Sequence, residues 1–90
     1  MKRAGIAGFG VVGKRRSDFI QKIPDLELMA VCDQTFKGAG FLENGVAYFG
    51  DYRELIKQKL DILFVCISND MAAEVTIAGL KAGFHVFCEK

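Results

Sequence analysis

The sequence predicts an α/β fold built on a doubly wound parallel sheet, and three features carry that expectation. Short, almost continuously apolar runs at Arg3–Ala7, Leu26–Cys32, Asp61–Ile67 and Phe84–Cys88 suit strands that are covered on both faces. Between them lie segments whose apolar residues recur at helical spacing. A glycine-rich turn joins the first of these runs to the first helical segment.

Each element follows from local signals. Val11–Ile23 places Val12, Phe19, Ile20 and Ile23 on one helical face, with Lys14, Arg15, Asp18 and Lys22 elsewhere, and Pro24 prevents easy continuation. Gln34–Asn44 carries glycines and no clear period, and reads as loop or degenerate helix, followed by a short strand at Val46–Phe49. Asp51 is placed to cap a helix over Tyr52–Lys59. A third helix is expected over Asp70–Ala82, with Ser68 or Asn69 near its start and Gly83 ending it in a left-handed conformation. Strands alternating with helices of this length imply right-handed crossovers and a parallel sheet of about five strands. In the order 3-2-1-4-5-6 this sheet is incomplete, and the apolar run Phe84–Cys88 is expected as an unpaired edge inviting self-association.

Composition narrows the function. Ninety residues make one small domain or part of a larger one, and 51% apolar with 26% charged residues is ordinary for a globular chain. A net charge of +1 gives no electrostatic case for nucleic acid or an anionic membrane. No apolar run is long enough to cross a bilayer, and the glycines after Met1-Lys2-Arg3 break any signal-peptide pattern. Cys32, Cys66 and Cys88 are odd in number and widely spaced, so they read as buried thiols of a reducing cytoplasm, with no metal site.

The chemistry lies in Ala7-Gly8-Phe9-Gly10-Val11-Val12-Gly13, a G-x-G-x-x-G that follows the first strand and opens the first helix. Gly8 suits the tight turn, Gly10 lets a diphosphate approach the backbone, and Gly13 lets the helix pack closely. Amide groups at the helix start, aided by the helix dipole, face the phosphates. Asp33 follows the second strand at the distance where an acidic residue accepts hydrogen bonds from both ribose hydroxyls. Its charge would repel a 2′-phosphate, favouring NAD over NADP, although Lys37 nearby softens that preference. This is a Rossmann dinucleotide-binding pattern. A methyltransferase that binds S-adenosylmethionine also uses a glycine turn and an acid, but would not need the third glycine at this spacing.

The chain resembles the glucose–fructose oxidoreductase, inositol dehydrogenase and rhizopine-catabolism group, Gfo/Idh/MocA. The likeness runs from GIAGFGVVGKRR, through AVCD and the DYRELI segment before FVCIS, to AEVTIAGLKAGFHVFCEK. It implies an NAD(P)-dependent dehydrogenase acting on a hydroxyl of a sugar, nucleotide sugar or cyclitol. It further implies that residues 1–90 are the N-terminal NAD(P)-binding domain, with a substrate domain beyond it that also serves homo-oligomer formation.

By that resemblance Glu89-Lys90 opens a Glu-Lys-Pro motif whose lysine, Lys90, stands at the nicotinamide and the substrate hydroxyl as the catalytic group. A lysine beside a cationic ring in a partly desolvated cleft has a depressed pKa and can assist hydroxyl deprotonation. The resemblance also assigns Ile67, Ser68 and Asn69 to the cofactor cleft, along with Phe9, Val11, Val12 and Glu89. A histidine common soon after that asparagine is absent, Asp70-Met71-Ala72 standing there. His85 reads as structural, and Arg15 and Arg16 read as a solvated helix face. A non-catalytic nucleotide-sensing module with the same fold is the rival from another functional class.

Overall fold

The computed structural model describes residues 1–67 and 70–89. It contains β1 (Lys2–Ala7), α1 (Val11–Gln21), β2 (Leu26–Cys32), β3 (Ala39–Phe41), β4 (Ala47–Phe49), α2 (Tyr52–Ile56), β5 (Ile62–Val65), α3 (Met71–Lys81) and β6 (His85–Cys88). They form one sheet in the order β3-β4-β2-β1-β5-β6, parallel except for the β3–β4 pair. α1 packs on one face through Ile20, while α2 and α3 cover the other through Leu55 and Val75. The doubly wound α/β expectation is met. Among the described residues no helix is long and apolar enough to cross a membrane.

β1 is central, and its last four residues are buried. Ala4 and Ile6 face the α1 side, whereas Ala7 faces the α2 and α3 side, as the two-residue period of a strand requires. The pairing with β2 shifts register between Ala4 and Gly5, which pair with Leu28 and Ala30. Met29 is the extra residue, 37% exposed, and its insertion lets Leu28 and Ala30 serve opposite cores.

Three local expectations are corrected. Gln34–Asn44 contains a strand, β3, which turns back antiparallel onto β4. A tight turn closes this hairpin: the Gly45 amide donates to the Leu42 carbonyl at 2.9 Å, and the Val46 amide donates to the Asn44 side chain at 3.1 Å. Asn44-Gly45 is the sequence signal for it. Secondly, α1 buries Ile20 of the expected apolar stripe together with Gly13 and Ser17, whereas Val12 and Phe19 remain 41% and 55% exposed. Small residues win that face because the helix lies close to the sheet. Thirdly, α2 is one turn shorter than Tyr52–Lys59. Asp51 caps it as expected, accepting from the Arg53 amide at 2.8 Å. Gly83 ends α3 with φ +90°.

Leu63 on β5 is fully buried, in the core shared with Leu55, Val65 and Val75. Leu63→Ala should cost about 2–5 kcal/mol in chemical denaturation, with the folded-state circular dichroism spectrum retained.

Candidate functional site

The winding direction reverses between β1 and β5, so the chain leaves their carboxyl ends toward opposite faces and opens a crevice. Gly8 begins the turn after β1 with φ +98°, and a Cβ there would lie 2.7 Å from the Cys66 carbonyl oxygen across the crevice. A Cβ on Gly13 would lie 1.9 Å from the Gly8 carbonyl oxygen. Only glycine permits that contact. A Cβ on Gly10 would meet nothing within 4 Å and would project into open space.

α1 starts directly after this turn. Its N-cap is Gly10, which makes no side-chain cap, and the first turn holds no acidic residue. The first intrahelical amide bond is that of Lys14 to the Gly10 carbonyl, 2.9 Å. The amides before it are those that a helix leaves for an external acceptor.

Asp33 stands at the end of β2 and reaches back to the same turn. Its Oδ2 accepts from the Phe9 amide at 2.7 Å, and its Oδ1 accepts from the Thr35 amide and hydroxyl at 3.1 and 3.2 Å. A carboxylate offers about four acceptor positions, so one on Oδ2 remains for a ligand hydroxyl, and rotation of Thr35 would free another. Gly8, Gly10, Asp33 and Ile67 line one cavity of about 570 Å³. Its far wall comes from α2 and α3, where the Tyr52 hydroxyl donates to the Glu74 carboxylate.

Glu89 lies elsewhere. With Val12, Arg15 and Arg16 it lines a second cavity, about 250 Å³. Arg16 donates through Nε to Glu89 Oε2 at 2.9 Å and through Nη2 to Oε1. This corrects the reading of Arg16 as part of a solvated face. Its guanidinium sits 5.5 Å from the Phe19 ring centre and 5.7 Å from that of Phe64. Cys66 Sγ donates to Glu89 Oε2 at 3.3 Å. The missed signal was slight, because 73 residues separate Arg16 from its partner.

The remaining sequence-derived positions are spread around this arrangement. The Phe9 ring lies 6.1 Å from Phe36, on the α1 side of the sheet. Val11 and Val12 are 71% and 41% exposed at the helix start. His85 is exposed at the start of β6. Ser68, Asn69 and Lys90 fall outside the described residues.

The thiols differ more than expected. Cys32 is buried, Cys66 half-buried and Cys88 exposed, and all are free. Burial pushes both Cys32 and Cys66 up to about 12, with the Glu89 carboxylate adding to the effect at Cys66. Both are therefore protonated and unreactive at neutral pH.

The donor set fits a dinucleotide: an amide-lined helix start, a cradle that a Cβ would fill, and a carboxylate at the edge of the turn. The family model described as "Oxidoreductase family, NAD-binding Rossmann fold" matches residues 2–90. The chain belongs to the Gfo/Idh/MocA family. Among its relatives, inositol 2-dehydrogenase of Salmonella typhimurium is 33% identical over 97 residues, covering 98% of this chain and 28% of the relative. D-glucoside 3-dehydrogenase of Escherichia coli is 36% identical over 93 residues, covering 98% of this chain and 26% of the relative. The crystal structure of scyllo-inositol dehydrogenase from Lactobacillus casei, with bound NAD(H) and scyllo-inositol, superposes with a TM-score of 0.83 at 25% identity. That match covers all of this chain and 28% of the other. The chain thus spans little more than a quarter of the length of the relatives it matches.

Arg16, mainly by its hydrogen bonds, holds the Glu89 carboxyl below the usual glutamate range. A carboxylate depressed in the folded state contributes stability that is fully present above its unfolded value of about 4.3 and is lost as pH falls through the lower folded value. Glu89→Gln should flatten that part of the acid dependence, read from denaturation midpoints taken between neutral and strongly acidic pH.

Proposed function

We propose that residues 1–90 are the cofactor-binding domain of an NAD-dependent dehydrogenase that oxidises a hydroxyl of a sugar or cyclitol. The observation that carries this reading is the cavity where open space beside Gly10, the first amides of α1 and the Asp33 carboxylate converge. In it, Gly8, Phe9, Gly10, Val11, Val12 and Gly13 form the diphosphate seat. Asp33 takes the ribose hydroxyls of the adenosine half. The remaining half passes over the strand ends near Ile67 and Glu89, and the family resemblance adds Ser68 and Asn69 to its contacts. Bound there, the nicotinamide supplies a hydride acceptor.

The chain's own residues do the rest. Backbone amides at the start of α1 face the diphosphate with partial positive charge fixed by the helix, and Arg53 lines the same cavity. Asp33 selects against a 2′-phosphate, since a second anion beside a carboxylate that already takes the Phe9 amide would be repelled. NAD is therefore the favoured form, with NADP the weaker one. Lys90 is the residue proposed to hydrogen-bond the substrate hydroxyl and take its proton, as resemblance to the family's Glu-Lys-Pro motif implies. Inositol and glucoside dehydrogenases among the relatives support a polyhydroxylated ring as substrate.

Calorimetric titration of the chain should give one NADH site, with NADPH weaker by roughly tenfold or more. Gly10→Ala should leave the melting temperature nearly unchanged, because the new Cβ meets no protein atom within 4 Å. It should nonetheless weaken NADH by at least about tenfold by filling the place of the diphosphate. Full-strength binding by a folded Gly10→Ala variant would overturn the assignment. In a longer protein carrying this segment, Lys90→Ala should lower the turnover rate by about 10²–10⁴ with NADH affinity largely kept.

A further inference from the structure

The side chains around Glu89 form a second built arrangement, distinct from the glycine turn. The Arg16 fork grips both carboxylate oxygens of Glu89, and the Cys66 thiol shares one of them. The backbone is fixed as well, since the Glu89 amide donates to the Val65 carbonyl at 2.8 Å. The Phe19 and Phe64 rings hold the guanidinium within cation–π distance. Only 31% of the Arg16 side chain and 26% of the Glu89 side chain are exposed, so the pair is better shielded than a surface ion pair.

Three elements meet here. Arg16 belongs to the helix that opens at the glycine turn, Cys66 follows β5, and Glu89 follows β6. A dinucleotide anchored by Asp33 at the end of β2 and by the start of α1 must send its other half over the ends of β5 and β6, on the far side of the switch point. The ion pair therefore ties the diphosphate seat to the very strand ends that the nicotinamide half would cross.

We propose that Arg16 is a positioning residue for the nicotinamide half of the site. By clamping Glu89 and, through it, Cys66, it fixes the ends of β5 and β6 against α1. It thereby fixes the chain at Glu89, the residue that precedes Lys90 in the sequence. Arginine suits the task because its planar fork meets both carboxylate oxygens while its face packs on aromatic rings, and lysine offers only a point charge. Arg15, the neighbouring cation, is exposed. This inference rests on the NAD-binding reading above.

The test separates the halves of the ligand. The 90-residue chain is titrated with NAD⁺ and with ADP-ribose, which lacks only the nicotinamide. In the wild type, NAD⁺ should bind more tightly than ADP-ribose. In Arg16→Met, ADP-ribose affinity should stay within about twofold, while the NAD⁺ advantage falls by roughly tenfold. Arg16→Lys, which keeps the charge and the fold if Arg16→Met does not, should retain only part of that advantage. Equal weakening of both ligands, or no change in either variant, would reduce Arg16 to a stabilising contact and overturn the proposal. Equal wild-type affinity for the two ligands would overturn it too. If the wild type binds neither ligand, the failure lies with the NAD-binding reading itself, and the proposal falls with it.

Discussion

The close approach of α1 to the turn that precedes it sets the rest of the site. With no Cβ on Gly13, the helix can lie against the Gly8 carbonyl at a distance that any other residue would occupy with side chain. That contact fixes where the helix begins relative to β1, and hence where its first amides point. It also fixes the Phe9 amide in reach of Asp33, so that the residue directly after β2 braces the turn from the other side. The burial of Ser17 follows from the same geometry, because a helix held so near the sheet has room only for small residues at its closest points, while Ile20 one turn on fills the core beside them. Phe19 is turned outward as a consequence, where its ring becomes available to the Arg16 guanidinium.

Each side of the crevice is built by a different kind of interaction. On the Asp33 side, the turn itself offers backbone amides and a carboxylate already held by the Phe9 and Thr35 amides, with little side-chain freedom to lose when a ligand binds. On the Glu89 side, the order depends on long side chains gripping one another. The Cys66 thiol is well matched to its place there. A thiolate beside the Glu89 carboxylate would be repelled and poorly solvated, which is why its pKa is pushed up to about 12. Kept protonated, it can donate to Oε2, and the carboxylate is satisfied by Arg16 and Cys66 together.

This difference explains what could be read from the sequence. The glycine turn and Asp33 are legible because their chemistry depends on fixed local spacing: three glycines at positions 8, 10 and 13 and an acid directly after the next strand. The buried strands are legible because their residues are apolar almost without interruption. β3 is obscured by its three-residue length, although Asn44-Gly45 marks the turn that makes it possible. The Arg16–Glu89 contact was hidden for another reason. No spacing rule connects a helix residue to a strand end 73 positions away, and a basic residue between Arg15 and Ser17 reads as one more solvated charge.

An ion pair at this place differs from an apolar contact in what it supplies. A shielded ion pair is costly to desolvate, and apolar residues of similar size often stabilise a structure as well or better. Stability alone is thus a weak reason for placing one at the mouth of the sheet. What an ion pair supplies and an apolar contact does not is a defined register, since a bidentate fork has one good geometry whereas packed aliphatic groups can slide. Register matters at the ends of β5 and β6, where Val65 pairs with Cys88 and the Glu89 amide donates to the Val65 carbonyl. A fork that reaches from α1 to the residue after β6 fixes that register, and the proposed positioning of the nicotinamide half depends on it.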